Sequence, residues 1–418
     1  MISDQALSAA LPRWCVELLG ELIRWSLWVV AAGVWILFPR LYLHIVQLTF
    51  QDPSNSDFTI FYYTSRLVRD GLPMYGESPA RYGLVWGFDH LGNLNPPQLQ
   101  LFMMPLAWLS YKDALVAWTV FSGCCLAASV ALIARALNRR FSWRGAFVAG
   151  AIAMPLAAFT TVASTCELTF VLMLPFTLAW RAWREGRWRS VGAWLGLCAS
   201  AKIFLLLFLL WLILRRQWIA VQSFVAVLLG IVAAAVAIFG IGTYRLWLVT
   251  LSDVFWWWMP MNASWEGFVS RTLEGGPGLA AMLPPVTVVH PLAIAITAFF
   301  VVLTVIAVLR SRWPAPDRQV VSLFLAALLL SPLGWVYYLP MACGPFLGWL
   351  GADRNWQDIR IAGREAIVLG LAGFALLYVP PDVLLAGQPS ALATATIGST
   401  YFWGVLLLWL STLWARSA

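Results

Sequence analysis

Long apolar runs recur along the whole chain of 418 residues and are separated by short polar junctions. Only 11% of the residues are charged, which is less than half of the roughly 25% typical of a soluble domain. So little charge cannot cover a water-facing surface, and this excludes a soluble enzyme, a disordered protein and a coiled coil. The pattern indicates an all-α polytopic membrane protein, because a helix satisfies its own backbone hydrogen bonds inside a bilayer.

The apolar runs predict about twelve crossings within a single membrane domain, residues 1–418. Runs such as 97–110 and 168–180 are shorter than the ~20 residues of a straight crossing. They are expected to be tilted, extended by polar turns or re-entrant, and two re-entrant runs would leave ten crossings. Two long polar stretches interrupt the pattern, at about 51–95 and 242–290, and we name them the first and second outer stretch. An even number of crossings separates them in both cases, so we expect them on the same side.

Basic residues cluster at the junctions and give the chain a net charge of +8. Several clusters, among them Arg215-Arg216 and Arg310 to Arg312, fall on the side opposite to the outer stretches. Because lysine and arginine are enriched on the cytoplasmic side, we expect the outer stretches to face the periplasm or exterior of a bacterial cytoplasmic membrane. Junction arginines also contact anionic membrane lipids, so the positive charge does not indicate a nucleic-acid partner. The first apolar run, about 25–50 with a proline interruption at Pro39, is expected to remain as an anchor.

The first outer stretch predicts a short interfacial helix. Small polar residues precede Asp57, and Asp70-Gly71 supplies a stop about three turns later. Tyr62 and Arg66 then lie on one face and are candidate substrate contacts. Asp57 opens the helix and has two interpretations, a helix cap or a general base held at the membrane edge. Further along, Asn95 precedes two prolines and is expected to cap the next helix.

Two ionisable residues lie within apolar runs, where charges are costly and are usually functional. Glu167 begins one run, and Lys202 lies inside the otherwise uncharged run 191–214. Lys202 has two interpretations, because its ammonium could reach the bilayer surface or hold an anion, most plausibly a phosphate, in a cavity. In the second outer stretch, Trp256 to Trp258 are expected to anchor to headgroups or to stack on sugar rings or prenyl chains.

No cofactor and no obligatory metal are expected. The histidines His44, His90 and His290 are widely separated, although the neighbouring pair Asp89-His90 leaves a metal ligand open. The six cysteines show no CxxC spacing and are interpreted as packing thiols.

Several blocks, taken in order, are similar to glycosyltransferase family 87, a GT-C type family of polyprenol-phosphate-sugar-dependent transferases that includes the α-1,2-mannosyltransferases of phosphatidylinositol mannoside assembly. The blocks span roughly residues 57 to 340 and are Asp57-Phe58 with Tyr62 and Gly71 to Tyr75; Asn95-Pro96-Pro97 with Pro105-Leu106; Lys202 with Arg215-Arg216; Asn262, Ser264, Gly267 and Arg271; and Ser331 to Trp335.

The resemblance implies a GT-C type helical bundle whose outer stretches carry short interfacial helices. It implies that Asp57 is the catalytic base and that Lys202 and Arg271 contact the donor phosphate. The donor is then a polyprenyl-phosphate sugar, most plausibly mannose, and the acceptor is a hydroxyl of a lipid or glycan. A single displacement would invert the configuration at C1.

The chain departs from the family pattern at two places. It has Ser164 to Glu167 where the family often has Gly-Gln-x-Asn, and Tyr337-Tyr338 where a histidine pair often follows the Ser-Pro-x-x-Trp block. These positions, with Asn262 and Trp335, are candidate substrate contacts, so the sugar or acceptor could differ from that of the mannosyltransferases. Glu167 is a candidate contact for a sugar hydroxyl.

Two other classes of protein fit part of the pattern. A multispan transporter or lipid flippase also has many spans and intramembrane charges. Transporters typically show repeated halves with matching broken helices, however, and no internal repeat is visible. A structural subunit of an envelope assembly would not require an Asp–Lys–Arg set at compatible depths.

Overall fold

The computed structural model describes residues 13–51, 56–75, 93–137, 143–252, 254, 257–275, 316–350, 364–381 and 389–414, with short pieces between 295 and 306. Helices dominate these ranges, and within them the only β-type pairing is an isolated bridge between Asn262 and Trp335. The expected all-α class is therefore confirmed.

The helices in the first half of the chain are α1 (Arg13–Gln51), α2 (Asp57–Arg69), α3 (Leu99–Met103), α4 (Tyr111–Ala136), α5 (Trp143–Ala153), α6 (Ala157–Thr165), α7 (Thr169–Arg184), α8 (Trp188–Ala201) and α9 (Leu206–Leu214). Those in the second half are α10 (Trp218–Phe239), α11 (Ile241–Ser252), α12 (Trp265–Val269), α13 (Pro316–Leu330), α14 (Cys343–Trp349), α15 (Arg364–Leu376), α16 (Ala391–Ala395) and α17 (Thr400–Trp414). Short 3-10 segments include Met104–Trp108, Ile203–Leu205, Val336–Ala342 and Ile397–Ser399.

Four stretches among the described residues are long and apolar enough to cross a membrane. They are Gly20–Leu48, Tyr111–Ala136, Trp218–Phe239 and Ala391–Leu413. Shorter apolar helices such as Ile203–Leu214 accompany them. A membrane protein is thus supported, while ten to twelve crossings stay a prediction.

The expected interruption of the first apolar run at Pro39 is wrong, because α1 continues through this residue. A proline inside a helix removes one backbone hydrogen bond. Ending the helix there would leave several backbone groups without partners in an apolar surrounding, which costs more.

Two other apolar runs of the sequence are each divided between two helices. The run 145–162 is split between α5 and α6, and the run 191–214 is split where α8 ends. Lys202 stands at the second break with an extended backbone (φ −134°, ψ 103°), and a 3-10 turn leads from it into α9. The lysine therefore lies between two helices and not within one.

Helix α7 lies at the centre of the packing. It contacts α4, α8, α13 and the 3-10 segment Val336–Ala342. Its side chains Phe176 and Trp180 are fully buried, as are Phe208 and Phe324 of α9 and α13, which pack against Phe176. This core fixes the N-terminal end of α7, where Glu167 lies.

Helices α8 and α10 approach closely through two glycines of α8. A Cβ at Gly196 would stand 2.6 Å from the backbone oxygen of Phe224, and one at Gly192 would overlap the backbone oxygen of Ala220. Small residues spaced four apart are a common way for membrane helices to bring their backbones together. The pair α8–α10 thus holds the C-terminal end of α8, and with it Lys202, in place.

We expect Gly192→Ala to destabilise the protein by about 1–3 kcal/mol, because the new methyl group collides with backbone that cannot rotate away. The matched control is Gly230→Ala in α10, where nothing lies within 4 Å of the added Cβ. Alanine favours a helix by about 1 kcal/mol over glycine, so the control is expected to be neutral or stabilising. Thermal unfolding of the two variants in detergent measures the difference, and equal midpoints would contradict the packing described.

Candidate functional site

A cavity of about 930 Å³ lies between the start of α2, the α6–α7 and α8–α9 junctions and two loops of the second half of the chain. Its polar lining residues come from segments that are far apart in sequence. They are Asp57, Asn95, Thr161, Thr165, Glu167, Lys202, Ser331, Tyr337 and Tyr338. The cavity therefore collects Asp57, Glu167, Lys202 and the tyrosine pair, all of which the sequence singled out.

The ammonium of Lys202 is held between an acid and an amide. Its Nζ lies 2.9 Å from Oε1 of Glu167 and donates to Oδ1 of Asn95 at 3.0 Å. It also lies 5.0 Å from the ring centroid of Tyr338. The two charged side chains are only 11% and 2% exposed, so this is a buried ion pair and Lys202 does not extend to a bilayer surface.

Glu167 occupies the break between α6 and α7. Cys166 before it has a left-handed backbone, which turns the chain after α6. The second carboxylate oxygen of Glu167 accepts hydrogen bonds from the backbone N–H and the hydroxyl of Thr169, at 2.8 and 2.9 Å. Glu167 thus accepts from one of the free N–H groups at the start of α7 and also pairs with Lys202.

Asn95 is the site residue that the sequence did not identify as one. The expected helix cap is wrong, because Gln98 precedes α3 and the side chain of Asn95 binds Lys202. Its carbonyl accepts from the Tyr75 hydroxyl at 2.6 Å, and its amide donates to Oδ1 of Asn93. A residue before proline disfavours the helical backbone. The two prolines after Asn95 were therefore the feature of the sequence that could have indicated a helix start further along.

Asp57 is the first residue of α2, and the expected short helix with its stop at Asp70-Gly71 is confirmed. The cap is Ser56, whose Oγ accepts from the N–H of Phe58 at 3.2 Å. The same hydroxyl donates to the carbonyl of Thr165 at 2.8 Å and ties α2 to the end of α6. Because Ser56 performs the capping, the carboxylate of Asp57 is left to face the cavity.

The surroundings of Asp57 favour its protonated form. Burial raises the pKa of this carboxyl from 3.8 to about 7, and the neighbouring Glu167 carboxylate adds to the rise. The ammonium of Lys202 and a hydrogen bond with Thr165 lower the pKa by a smaller amount. A carboxylate with a pKa near neutrality is suited to accept a proton in a reaction.

Aromatic side chains form much of the remaining wall. Trp335 stacks on Tyr337 with ring centroids 5.8 Å apart, and Phe204 stacks on Tyr338 at 5.1 Å. Trp257 and Trp258 line the same cavity, while Trp256 lies outside the described residues. Flat apolar rings beside hydroxyl and carboxylate groups suit a ligand that has both C–H faces and hydroxyls.

Asn262 was expected to contact substrate, but the structure places it behind the cavity wall. Its side-chain amide donates to the carbonyls of Trp257 and Pro332, and its Oδ1 accepts from the N–H groups of Ser264 and Gly334. Its hydrogen-bonding capacity is thereby used within the protein. The residue joins the loop 257–261 to the loop 331–335, and both loops line the cavity.

Arg271 was expected to contact a phosphate, and the structure gives it a different place. Its fully buried guanidinium donates to the carbonyls of Trp258, Met259 and Asn262 and to the hydroxyl of Ser399. The side chain is not among the cavity-lining residues. It holds the backbone of the 257–261 loop against the C-terminal helices, so it shapes the cavity from behind.

Tyr62 and Arg66, also candidate contacts, lie on the side of α2 away from the cavity. The Tyr62 hydroxyl donates to the carbonyl of Leu109 at 2.8 Å, and Nη1 of Arg66 donates to that hydroxyl at 3.2 Å. They connect α2 to the segment before α4. The shared helix face was correctly predicted, but it serves packing.

Metal binding is not decided by these residues. Within the described ranges no group of three or more histidine, cysteine or acidic residues is placed to hold an ion. Asp89, His90 and His290 lie outside those ranges. The expectation that no metal is required therefore stays a prediction.

We expect Lys202→Met or Glu167→Gln alone to destabilise the protein by about 3–5 kcal/mol, because each leaves an unpaired buried group. The double variant is expected to lose clearly less than the sum. The exposed pair Arg181–Glu185, at 2.8 Å, is the matched control, and Arg181→Gln is expected to cost less than about 1 kcal/mol. Thermal unfolding in detergent measures the stability of the two single variants, the double variant and the control. Strictly additive losses would show that Glu167 and Lys202 are not coupled.

The known proteins with similar sequences include mannosyltransferases that use a polyprenol-phosphate-mannose donor. The chain is 24% identical to the polyprenol-phosphate-mannose-dependent alpha-(1-2)-phosphatidylinositol mannoside mannosyltransferase of Mycobacterium tuberculosis, over 93% of this chain and 90% of that protein. It is 29% identical to the corresponding pentamannoside mannosyltransferase of Mycolicibacterium smegmatis, over half of each chain. No solved structure matches significantly. The sequence model of glycosyltransferase family 87 matches residues 93–332, more than half of the chain, and the protein belongs to that family.

Proposed function

We propose that this protein transfers a mannosyl group from polyprenyl-phosphate mannose to a hydroxyl of a lipid-linked glycan, with inversion at C1. The names of the two mannosyltransferases support this donor and a phosphatidylinositol mannoside type of acceptor. Family membership favours chemistry over the transporter and structural alternatives. The reaction takes place on the outer face of a bacterial cytoplasmic membrane, which the distribution of junction arginines supports.

The observation that carries the proposal is the cavity in which a carboxyl with a pKa near neutrality and a buried ammonium stand together. Transfer from a prenyl phosphate needs a base for the acceptor hydroxyl and a positive group near the leaving phosphate. Asp57 and Lys202 have these chemical properties. They reach the same cavity from positions that are more than a hundred residues apart in the sequence.

In the proposed reaction Asp57 accepts the proton of the acceptor hydroxyl while that oxygen forms a bond to C1 of the sugar. The bond between C1 and the phosphate oxygen breaks, and its electron pair leaves with the polyprenyl phosphate. Lys202 stabilises the negative charge that develops on the phosphate. The second amide hydrogen of Asn95 has no partner in the described part of the chain and is a further donor for that phosphate.

Glu167 has a role other than the sugar contact that we expected. Both of its oxygens are occupied, one by Lys202 and one by Thr169. It therefore fixes the position of the ammonium and balances its charge before the donor binds. In the proposed reaction the aromatic residues Trp335 and Tyr337 contact the sugar rings.

The prenyl chain of the donor is proposed to leave the cavity beside the 3-10 segment Ile203–Leu205. Ile203 and Leu207 line the cavity at this edge, with Leu251 and Val254 across from them. The side chains of Ile203 and Leu206 are exposed on the protein surface. An apolar edge of this kind suits a lipid that enters from the bilayer.

Asp57→Asn is expected to abolish transfer, by at least about 100-fold in kcat, because the amide cannot accept the proton. The purified protein is incubated with labelled polyprenyl-phosphate mannose and a panel of lipid and glycan acceptors, and products are separated. Donor binding by the variant is measured in parallel and is expected to persist. Near-normal turnover would remove Asp57 as the base, and no product with any acceptor in the wild type would contradict the proposed function.

The pH profile follows from the raised pKa of Asp57, about 7. The carboxyl must be ionised to act as a base, so kcat/KM is expected to fall as the pH drops below about 7 and to level off above it. Because Glu167 raises the pKa of Asp57, Glu167→Gln should move the inflection to lower pH. A flat profile between about pH 5 and 8 would speak against the assignment.

A further inference from the structure

A second, open cavity of about 720 Å³ lies beside α2 and is separate from the reaction site. The end of α1, the middle of α2 and the start of α4 line it. It is lined by Gln47, Phe50, Gln51, Tyr63, Ser110, Tyr111 and Lys112. Apart from α2 itself, the two cavities share no lining element, and nothing in the proposed reaction uses the second one.

The position of this cavity coincides with the ends of two candidate membrane spans. The stretch Gly20–Leu48 ends beside Gln47 and Gln51, and the stretch Tyr111–Ala136 begins at the opposite wall. A pocket between the ends of two spans lies at the level of lipid headgroups. Aromatic residues such as Tyr63 and Tyr111 are typical of that level.

Three of the polar side chains that line this cavity are Gln47, Gln51 and Lys112. The side chains of Gln47, Gln51 and Lys112 are exposed and make no hydrogen bond or ion pair within the described part of the chain. The carboxylate of Asp113, next to Lys112, accepts from the Ser110 hydroxyl at 2.6 Å. The pocket thus offers one ammonium, two amides and a stacked pair of tyrosines with centroids 5.9 Å apart.

We propose that this second cavity binds the anionic polyol headgroup of the acceptor lipid, with its phosphodiester on Lys112 and its hydroxyls on Gln47 and Gln51. The inference rests on the proposed function, because it assigns a place to the lipid end of that acceptor. A cation suits the phosphate, and amides donate to and accept from hydroxyls.

The spacing between the two cavities fits such an acceptor. Asp57 and Tyr63 are six residues apart on α2, or about 9 Å along the helix axis. A glycan that reaches from a lipid at the second cavity to Asp57 has to span a distance of this order. Hydrogen bonds from the Tyr62 hydroxyl to Leu109 and between Thr59 and Tyr111 fix α2 against the start of α4, so the spacing is rigid.

The test is direct binding of dioctanoyl phosphatidylinositol to the purified full-length protein, without turnover. Lys112→Gln is expected to raise the dissociation constant about fivefold, which corresponds to the ~1 kcal/mol that one basic residue contributes to binding an anionic lipid. The matched control is Arg189→Gln, an exposed cation in α8 with no ion pair in the described ranges. It is expected to bind like the wild type, and dioctanoylglycerol, which lacks the charged headgroup, should not distinguish the three proteins.

Two results would overturn the proposal: equal affinity of Lys112→Gln and the wild type, or an equal loss in Arg189→Gln, which would indicate general attraction of anionic lipid. Soluble glycerophosphoinositol is measured in the same way and separates headgroup recognition from chain burial. Binding is read without a donor, so the outcome is independent of whether transfer occurs. In the transfer assay, Lys112→Gln should then raise the KM for an anionic acceptor lipid and leave the KM for the donor unchanged.

Discussion

The buried ion pair between Glu167 and Lys202 is the contact on which the rest of the site depends. Each partner stands where a helix breaks, so each break leaves backbone groups that need partners in an apolar surrounding. Glu167 meets this need at the start of α7, and its other oxygen holds Lys202. The carboxylate of Glu167 therefore stabilises the chain at both helix junctions and forms part of the polar lining of the cavity. Removing either partner would leave a buried charge without its counter-ion.

The charges of the cavity balance only in part. Two carboxyl groups, Asp57 and Glu167, face one ammonium among the described lining residues. In the proposed reaction the donor phosphate adds another negative charge, which the ammonium of Lys202 offsets. Asp57 has to be ionised to accept the proton of the acceptor hydroxyl, and burial together with Glu167 already raises its pKa to about 7. The proposed reaction therefore depends on Lys202 to balance the charge of the phosphate.

Local signals in the sequence predicted the parts of the fold that depend on neighbouring residues. The short helix α2 and its stop at Gly71 follow from capping and turn preferences. Glu167 and Lys202 became candidates because charge within apolar runs is costly, and Asp57 became one because it opens the predicted helix of the first outer stretch. Resemblance to a family then identified the chemistry, which hydropathy alone does not contain.

What the sequence could not show depends on contacts between distant segments. Arg271 and Asn262 belong to the family blocks, but only the fold shows that their donors reach backbone carbonyls instead of the cavity. Asn95 looked like a cap because the position of Lys202, over a hundred residues away, cannot be read locally. The number of membrane crossings depends likewise on how short apolar helices tilt and pair.

The wall formed by the loops 257–261 and 331–335 is tied together by Asn262 and tied to the C-terminal helices by Arg271. Such a cross-linked wall resists movement, since opening it would break several buried hydrogen bonds at once. Among the described residues, the edge around Ile203 is lined by apolar side chains. In the proposed reaction the free carrier lipid therefore leaves the cavity at the same apolar edge at which the loaded carrier enters it.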